Sequence, residues 1–176
     1  MGIRLILFRD LLKNMRPGRL LDLGAGHGKF SLIAQELGWQ VTAVDARTER
    51  MPMSPGIEWI HSDIRDFSIG RFDCICILGL LYHLELFDQI ALLKRCAPTV
   101  TVLDTHFALE ASVKLGEYEG RFFEEQTEAL TASFGNKQSF WPTESSLIRM
   151  LHNCGYRTAE KQLPQYREDR AFFLAR

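Results

Sequence analysis

Apolar positions along the chain follow two spacings, one typical of amphipathic helices and one typical of buried strands. Residues 3–15 carry apolar side chains at helical spacing and end before Pro17 and Gly18, which predicts an N-terminal amphipathic helix. The run 72–78 shows little alternation between apolar and polar residues, as expected of a parallel strand covered on both faces. Both kinds of element are therefore expected in this chain.

Strand-like and helix-like runs alternate through residues 19–104. Strands are predicted at 19–23, 40–45, 57–61, 72–78 and 99–104, and helices at 29–37 and 86–96. The stretch 47–56 contains Pro52 and Pro55, so any helix that crosses over there must be very short. This alternation predicts an α/β fold with a doubly wound, mostly parallel sheet and helices on both faces.

Residues 105–142 interrupt the alternation with glycines and a dense set of aromatic side chains, and we predict that they form a substrate-lid insert. The alternative is a lid whose aromatic side chains only pack on the sheet. After the insert, 143–153 has the start and stop signals of a capped helix, and 157–163 and 170–176 have the pattern of two strands in a hairpin. No repeat, low-complexity tract or interdomain linker divides the chain. We therefore expect a single domain over residues 1–176.

A glycine-rich loop joins the first predicted strand to the next helix, with the sequence DLGAGHG over residues 22–28. Glycine lets the chain turn sharply and lets a ligand approach the backbone, and the amides at the helix N-terminus add partial positive charge. A dinucleotide-binding G-x-G-x-x-G loop would have its third glycine where Lys29 stands. Asp22 would repel a pyrophosphate and attract an α-ammonium group, so the loop favours a ligand with a cationic end.

Two more acidic residues follow the next two strands. Asp45 ends the second strand 23 residues after Asp22, close to the spacing at which a carboxylate meets ribose hydroxyls. Asp63 follows the third strand, where its carboxylate can accept a hydrogen bond from an adenine amino group while Ile64 packs on the ring. The loop and the acids together indicate a site for an adenosyl ligand with a cationic end.

The loop, the later acids and the strand that begins at Phe72-Asp73 resemble the class I S-adenosylmethionine-dependent methyltransferases over residues 19–176. The resemblance implies a seven-stranded sheet of order 3-2-1-4-5-7-6 whose strand seven is antiparallel. It also implies S-adenosylmethionine as cofactor and S-adenosylhomocysteine as product, with the methionine end at Asp22 and the loop, the ribose at Asp45 and the adenine at Asp63. The implied cofactor-binding residues are Asp22, Gly24, Ala25, Gly26, Gly28, Asp45, Ala46, Asp63, Ile64, Leu78 and Gly79.

Three residues are candidates for catalysis: His106, Asp104 and His83. His106 and Asp104 are expected to follow the fifth strand, where open α/β sheets place ligand groups. His106 is the first candidate for a general base, with Asp104 orienting it or contacting the substrate. His83 follows the fourth strand beside Tyr82, and the resemblance implies that this segment borders the transferred methyl group. The alternatives are a packing or helix-capping role for His83, a hydrogen-bonded turn at 104–106, and transfer by alignment alone.

Composition and charge limit the choice of acceptor. The formal net charge is −1 and the sequence pI is about 6.5, so the basic footprint of a nucleic-acid-binding protein is absent and nucleic acid is an unlikely partner. The insert has more acidic than basic residues, which argues against a polyanionic substrate. The acids are Glu117, Glu119, Glu124, Glu125 and Glu128, against Lys114, Arg121 and Lys137.

These observations predict an enzyme that methylates a small molecule at oxygen, such as a sugar or another secondary metabolite. A methyltransferase acting on tRNA or protein, and a non-catalytic S-adenosylmethionine-binding protein, are the alternatives. The cysteines form no CxxC pair and no cluster with histidine, so we predict reduced, buried thiols and no metal site. The apolar start is too short for a signal peptide or a membrane span. We expect a cytoplasmic monomer or homodimer with no membrane partner.

Overall fold

The computed structural model describes residues 2–125 and 133–176 of the chain. The chain divides into two compact units, unit 1 (Met1–Leu78) and unit 2 (Gly79–Arg176). The organisation of residues 1–176 as a single domain stays a prediction. Within the described ranges, none of the helices has both the length and the apolar character that a membrane crossing needs.

Unit 1 alternates helices and parallel strands. Its elements are α1 (Ile3–Lys13), β1 (Arg19–Leu23), α2 (Lys29–Glu36), β2 (Gln40–Asp45), β3 (Ile57–His61) and β4 (Cys74–Leu78). A single 3₁₀ turn, Thr48–Arg50, stands between β2 and β3, as the prolines at 52 and 55 predicted. β1 pairs in parallel with β2 and β4, and β2 pairs in parallel with β3. Every residue of β4 is buried, in agreement with its unbroken apolar run.

The N-terminal helix packs against α2. Phe8 and Leu12 of α1 are buried, and because they are four residues apart they lie on one face of the helix. The ring of Phe8 meets the ring of Phe30 edge-on, with a centroid separation of 5.0 Å. The helix predicted at 3–15 is thus present, ends at Lys13, and buries Phe8 and Leu12.

Unit 2 begins with a 3₁₀ turn, Leu81–His83, and ends in an antiparallel strand pair. Its other elements are α3 (Leu86–Cys96), β5 (Thr101–His106), β6 (Val113–Leu115), β7 (Tyr118–Glu124), β8 (Gln138–Pro142), α4 (Glu144–Asn153), β9 (Ala159–Lys161) and β10 (Arg170–Ala175). The side chain of Thr143 caps α4 by accepting a hydrogen bond from the amide of Ser146, as the sequence predicted. β10 runs antiparallel to both β5 and β9.

The main sheet has the strand order β3-β2-β1-β4-β5-β10-β9 among the described residues. Counted within this sheet alone, β9 and β10 are strands six and seven, so the order is the predicted 3-2-1-4-5-7-6. The antiparallel strand is also the predicted one, β10. The α/β fold class is therefore confirmed.

Two expectations about unit 2 need correction. Asp104 and His106 lie inside β5 and do not follow it, because the strand extends to His106. The predicted lid insert at 105–142 contains an antiparallel sheet, β6-β7-β8, which the pattern did not indicate. The two-residue connection between β6 and β7 begins with Gly116 at φ 61°, a hairpin signal that was present in the sequence. Residues 126–132 of the insert, and with them Glu128, lie outside the described residues.

Candidate functional site

The loop after β1 turns through three glycines that all have positive φ. The angles are 71° at Gly24, 54° at Gly26 and 65° at Gly28, a region that residues with a Cβ enter only at a cost. Gly28 is also the N-cap of α2. A Cβ at Gly28 would lie 2.3 Å from Cη2 of Trp59, so this glycine also permits a close packing contact. The sequence pattern did not single out Trp59.

Asp45 holds the glycine loop in place. Its Oδ2 accepts a hydrogen bond from the Gly26 amide at 2.7 Å, and its Oδ1 accepts one from the Arg47 amide at 2.9 Å. The neighbouring carbonyl of Val44 accepts from the Gly24 amide at 2.8 Å. The parallel pairing of β1 with β2 brings these groups together. The carboxylate predicted to bind ribose is thus in direct contact with the loop predicted to bind the methionine end.

Asp22, the acid at the end of β1, is almost completely buried. Its Oδ2 accepts a hydrogen bond from the hydroxyl of Ser31 in α2 at 2.6 Å. Burial raises the pKa of Asp22 to about 6, the Ser31 hydrogen bond counteracts part of this rise, and the negative charge of Asp45 adds to it. A carboxyl group in this state gains from a nearby cation, because the cation offsets the cost of ionising it in the interior.

Asp63 is bound by a neighbour in sequence. The guanidinium of Arg65 contacts both carboxylate oxygens, with Nε at 3.0 Å from Oδ1 and Nη2 at 2.6 Å from Oδ2, and the Arg65 amide donates to Oδ1 at 2.9 Å. Ile64 is buried beside it. An adenine amino group would have to share this carboxylate with Arg65. The adenine role of Asp63 and Ile64 therefore stays a prediction.

The remaining predicted cofactor residues lie at the ends of strands or in the loop. In unit 1, the Ala25 amide donates to the Val44 carbonyl at 3.1 Å, Ala46 follows Asp45 directly, and Leu78 is the buried last residue of β4. In unit 2, Gly79 has φ 88°. Their contacts with a cofactor stay predictions.

Asp104 forms a buried ion pair with Arg170 in unit 2. Nε and Nη2 of the guanidinium donate to Oδ1 and Oδ2 at 3.0 and 2.8 Å, and the hydroxyl of Tyr166 donates to Oδ1 as well. The side chain of Asp104 is 0% exposed and that of Arg170 is 10% exposed. Burial acts to lower the pKa of Arg170, but the hydrogen bonds and charge of Asp104 raise it above its usual value. Asp104 therefore holds Arg170, and its role in orienting His106 or contacting the substrate stays a prediction.

His106 is oriented by Asp169. Its Nδ1 lies 3.0 Å from Oδ2 of Asp169, and its Nε2 lies 3.2 Å from Nη1 of Arg170. A guanidinium can only donate, so Nε2 accepts and the ring proton stands on Nδ1, where it is donated to Asp169. Burial and the positive charge of Arg170 lower the pKa of His106. The structure thus places a neutral imidazole here, with its lone pair directed at Arg170.

The imidazole of His83 contacts a different carboxylate, that of Glu125. Its Nδ1 lies 2.9 and 3.1 Å from the two carboxylate oxygens of Glu125, whose side chain is 2% exposed. When the ring is neutral, its proton therefore stands on Nδ1 and is donated to the carboxylate, and Nε2 carries the lone pair. The arrangement resembles the carboxylate–histidine pairs that serve as general bases.

Aromatic rings join the two histidines into an aromatic cluster of Tyr82, His83, His106, Phe123 and Trp141. The Tyr82 ring lies 4.2 Å from the His83 ring and 4.7 Å from the His106 ring. The Trp141 ring stacks with His106 at 4.7 Å and with Phe123 at 4.8 Å. Two of the predicted catalytic residues, His83 and His106, are therefore neighbours of the same tyrosine.

An open cavity of about 600 Å³ in unit 2 lies beside this cluster. Its lining residues are Leu109, Glu110, Arg121, Arg167, Glu168 and Asp169. Two of them touch the cluster, because the Arg121 guanidinium stands 4.7 Å from the centroid of the Trp141 ring and Asp169 binds His106. The volume is in the range of small-molecule sites, and the charged lining suits a polar ligand.

Sequence reasoning missed three residues that organise unit 2: Glu125, Asp169 and Arg170. Their partners are 42, 63 and 66 positions away along the chain. Of these residues, Arg170 could have been identified from the sequence, since an arginine that begins an apolar strand needs a partner if it is buried. Glu125 was noticed only as part of the acidic excess of the insert.

A protein-family model described as a methyltransferase domain matches residues 4–161 of the chain. Ubiquinone biosynthesis O-methyltransferase of Xanthomonas campestris pv. campestris is 31% identical over 93 residues, which cover 46% of this chain and 38% of that protein. The protein of the same name from Xanthomonas oryzae pv. oryzae is 28% identical over 95 residues, 48% of this chain and 39% of its own. The match thus spans about two fifths of the length of these curated relatives.

Solved structures share the fold at low sequence identity. The N-terminal domain of EvdMO1 with S-adenosylhomocysteine bound aligns with a TM-score of 0.78 at 23% identity, over 98% of this chain and 78% of that chain. The 1,6-didemethyltoxoflavin-N1-methyltransferase of Burkholderia thailandensis aligns with a TM-score of 0.69 at 17% identity, over 98% of this chain and 76% of that chain. At these identities the likeness establishes the fold.

Proposed function

This chain belongs to the methyltransferase-domain family, and on that premise we propose that it transfers the methyl group of S-adenosylmethionine to a hydroxyl oxygen of a small polar molecule, such as a sugar. The observation that carries the proposal is the glycine loop over 24–28, which lies between two buried carboxylates, Asp22 and Asp45. A diphosphate would meet negative charge there, whereas the methionine ammonium and the ribose hydroxyls would meet acceptors. The relatives named as O-methyltransferases support transfer to oxygen.

Unit 1 supplies the donor site in this proposal. Asp22 pairs with the α-ammonium group, and the positive φ angles of the loop expose its amides to the carboxylate of the methionine end. Asp45 accepts from the ribose hydroxyls while it continues to accept from the Gly26 amide, because each carboxylate oxygen can accept more than one hydrogen bond.

Calorimetry tests this donor site. Asp45→Asn keeps the shape of the side chain and one acceptor oxygen but loses the charge, so we expect the Kd for S-adenosylmethionine to rise by about 10- to 100-fold. Asp10→Asn, at an exposed carboxylate of α1, is the matched control and should bind like the wild type. Tight binding of NAD without binding of S-adenosylmethionine would refute the donor site, as would unchanged affinity in Asp45→Asn.

The pKa of Asp22 leads to a pH dependence of donor binding. Because this pKa is raised to about 6, the empty site is mostly protonated below that pH, and binding of the ammonium group must displace the proton. Affinity for S-adenosylmethionine should therefore increase from about pH 5 to about pH 6 and become constant by about pH 7, where an α-amino group is still largely protonated.

Calorimetry across this range with Asp22→Asn provides the comparison. The variant should bind the donor more weakly at about pH 7, and its affinity should not change with pH, because the titrating group has been removed. A wild-type profile that is flat over the same range would show that Asp22 does not pair with the ammonium group.

The acceptor is assigned to the cavity in unit 2. Glu110, Glu168 and Asp169 can accept hydrogen bonds from hydroxyl groups, and Arg121 and Arg167 can donate to hydroxyl oxygens. Three carboxyl groups against two guanidinium groups disfavour a polyanion and favour a neutral, hydroxyl-rich molecule. The cavity volume of about 600 Å³ agrees with a molecule of the size of one or two sugar rings.

Methyl transfer needs a group that takes the hydroxyl proton. The acceptor oxygen forms a bond to the methyl carbon as the sulfonium–carbon bond breaks, and the proton passes to a base. His83 suits this role, because its Nδ1 is engaged by Glu125 and its Nε2 carries the lone pair. Nε2 of His106 accepts from Arg170, whose positive charge opposes protonation of the ring, so we assign His106 the role of holding Arg170.

Incubation with radiolabelled S-adenosylmethionine identifies the acceptor class. Labelled donor would be supplied with a small-molecule extract, total tRNA and a protein fraction in parallel. We expect label in the small-molecule extract. Label only in tRNA or only in protein would overturn the small-molecule proposal, and firm donor binding with no transfer to any fraction would support a non-catalytic binding protein.

A further inference from the structure

We propose that Glu125 is the positioning residue of the reaction: it holds His83 in the tautomer and orientation that a general base requires, and its charge compensates the imidazolium that forms. The inference rests on the proposed function, because it concerns the same transfer. It also adds a role for the insert at 105–142, which the sequence indicated only as a lid.

The first support is the geometry of the His83–Glu125 pair. Both carboxylate oxygens lie within 3.1 Å of Nδ1, and the carboxylate is buried while the imidazole is 18% exposed. A carboxylate that is buried to this degree needs a partner, since an uncompensated charge in the interior is costly. The carboxylate is thus inside the protein, whereas the ring that it holds retains access to the surface.

The second support is a set of hydrogen bonds that holds the main chain of His83 as well. Oε2 of Glu125 accepts from the Ser133 amide at 3.1 Å, and the Ser133 hydroxyl donates to the His83 carbonyl at 2.8 Å. Nδ2 of Asn136 donates to the same carbonyl at 3.0 Å. These contacts form a closed ring from the imidazole through Glu125 and Ser133 back to the backbone of His83. Both ends of His83 are therefore held by the insert.

The third support is the contrast between the two histidines of the aromatic cluster. Each has a carboxylate at Nδ1, Glu125 for His83 and Asp169 for His106. At His106 the opposite nitrogen accepts from the buried guanidinium of Arg170, whose positive charge opposes protonation of the ring. The carboxylate at His83 is the more deeply buried of the two, so it stabilises the imidazolium that forms during transfer more strongly.

In this arrangement the proton balance is simple. The Nε2 lone pair of His83 takes the proton of the acceptor hydroxyl as the oxygen bonds to the methyl carbon, and the sulfonium becomes a neutral thioether. The Nδ1 proton stays between the ring and Glu125, whose negative charge compensates the new positive charge of the ring.

The tautomer of His83 can be measured without an acceptor. In protein carrying ¹⁵N-labelled histidine, the His83 signals are assigned by their loss in His83→Asn, and the nitrogen shifts report which nitrogen carries the proton. We expect the Nδ1-protonated form in the wild type and in Glu125→Gln, whose amide oxygen still accepts. In Glu125→Ala we expect a shift towards the Nε2-protonated form. Glu124→Gln, at an exposed carboxylate one residue away, is the matched control.

Transfer rates complete the test. At saturating radiolabelled donor and with the small-molecule extract as acceptor, Glu125→Gln should lower the rate by about 10- to 100-fold while KM for the donor stays within about twofold. Glu124→Gln should match the wild type. An unchanged tautomer in Glu125→Ala, or a wild-type rate in Glu125→Gln, would overturn the proposal. If the wild type transferred label to no fraction, the proposed function would fail, whereas the donor-binding and tautomer data would still report on folding and orientation separately.

Discussion

Replacing His83 by alanine is expected to lower the rate of methyl transfer by about 10²- to 10⁴-fold, the range that a general base contributes. The reason is that the variant removes the ring that we propose as the general base and leaves the donor loop of unit 1 unaltered. The measurement is the initial rate of label transfer at saturating S-adenosylmethionine, together with the Kd for the donor by calorimetry. We expect the Kd to stay within about twofold of the wild-type value.

The control for this variant is His152→Ala. His152 lies in the last turn of α4 and contacts the carbonyl of Tyr156, so its loss should leave the transfer rate unchanged. If His83→Ala were active and His106→Ala inactive, the base would be His106 and the assignment made from the Arg170 contact would be wrong. If both variants were active, alignment of donor and acceptor would account for catalysis without a base.

Replacing Asp104 by alanine is expected to lower the free energy of unfolding by about 3–5 kcal/mol. The substitution leaves the guanidinium of Arg170 buried without the carboxylate that accepts two of its hydrogen bonds, at 3.0 and 2.8 Å. Arginine cannot lose its proton in the protein, so the charge persists at every pH at which the protein is folded. The measurement is the urea unfolding midpoint with its slope, read from far-ultraviolet circular dichroism.

A double variant separates two quantities: the destabilisation caused by a buried guanidinium without its carboxylate, and the net contribution of the ion pair to the free energy of unfolding. Asp104→Leu combined with Arg170→Met removes both charges and keeps similar volumes, so we expect most of the lost stability to return. The exposed pair of Lys13 and Asp10 gives the comparison, because Asp10→Ala should change stability by no more than about 1 kcal/mol. A loss of under about 1 kcal/mol in Asp104→Ala would show that Arg170 reaches solvent or another acceptor.

Secondary structure followed closely from the sequence where the pattern was strong. β1, β2, β3 and α3 begin and end at the predicted residues. The boundaries were predictable because helix and strand propensity depend on neighbouring residues. In these segments, the spacing of apolar residues also agrees with the burial that the fold imposes. The end of β5 was misplaced because Thr105 and His106 are polar, and only their partners in β10 show that the strand continues.

The sheet of the insert was missed for a related reason. In β7 only Tyr118 and Gly120 are buried, and the following residues 121–124 are exposed, so little alternation was visible. Gly120 sits in this strand because its partner approaches closely: a Cβ there would lie 2.3 Å from the Trp141 carbonyl oxygen. Such a contact is set by β8, whose residues are distant in sequence.

The sequence by itself determined the fold class and the glycine loop with its acids, because the alternation of strands and helices, glycine-rich turns and strand-end carboxylates are properties of short segments; the strand order followed from the family resemblance. Only the tertiary structure decided which charged groups meet. His83 and Glu125 are 42 residues apart, and Asp104 and Arg170 are 66 apart. A buried charge is costly unless it is paired, so each of these groups needs a partner. Which residue becomes the partner depends on the packing of distant strands. The roles that we propose for the two histidines follow from those partners, which the sequence alone does not show.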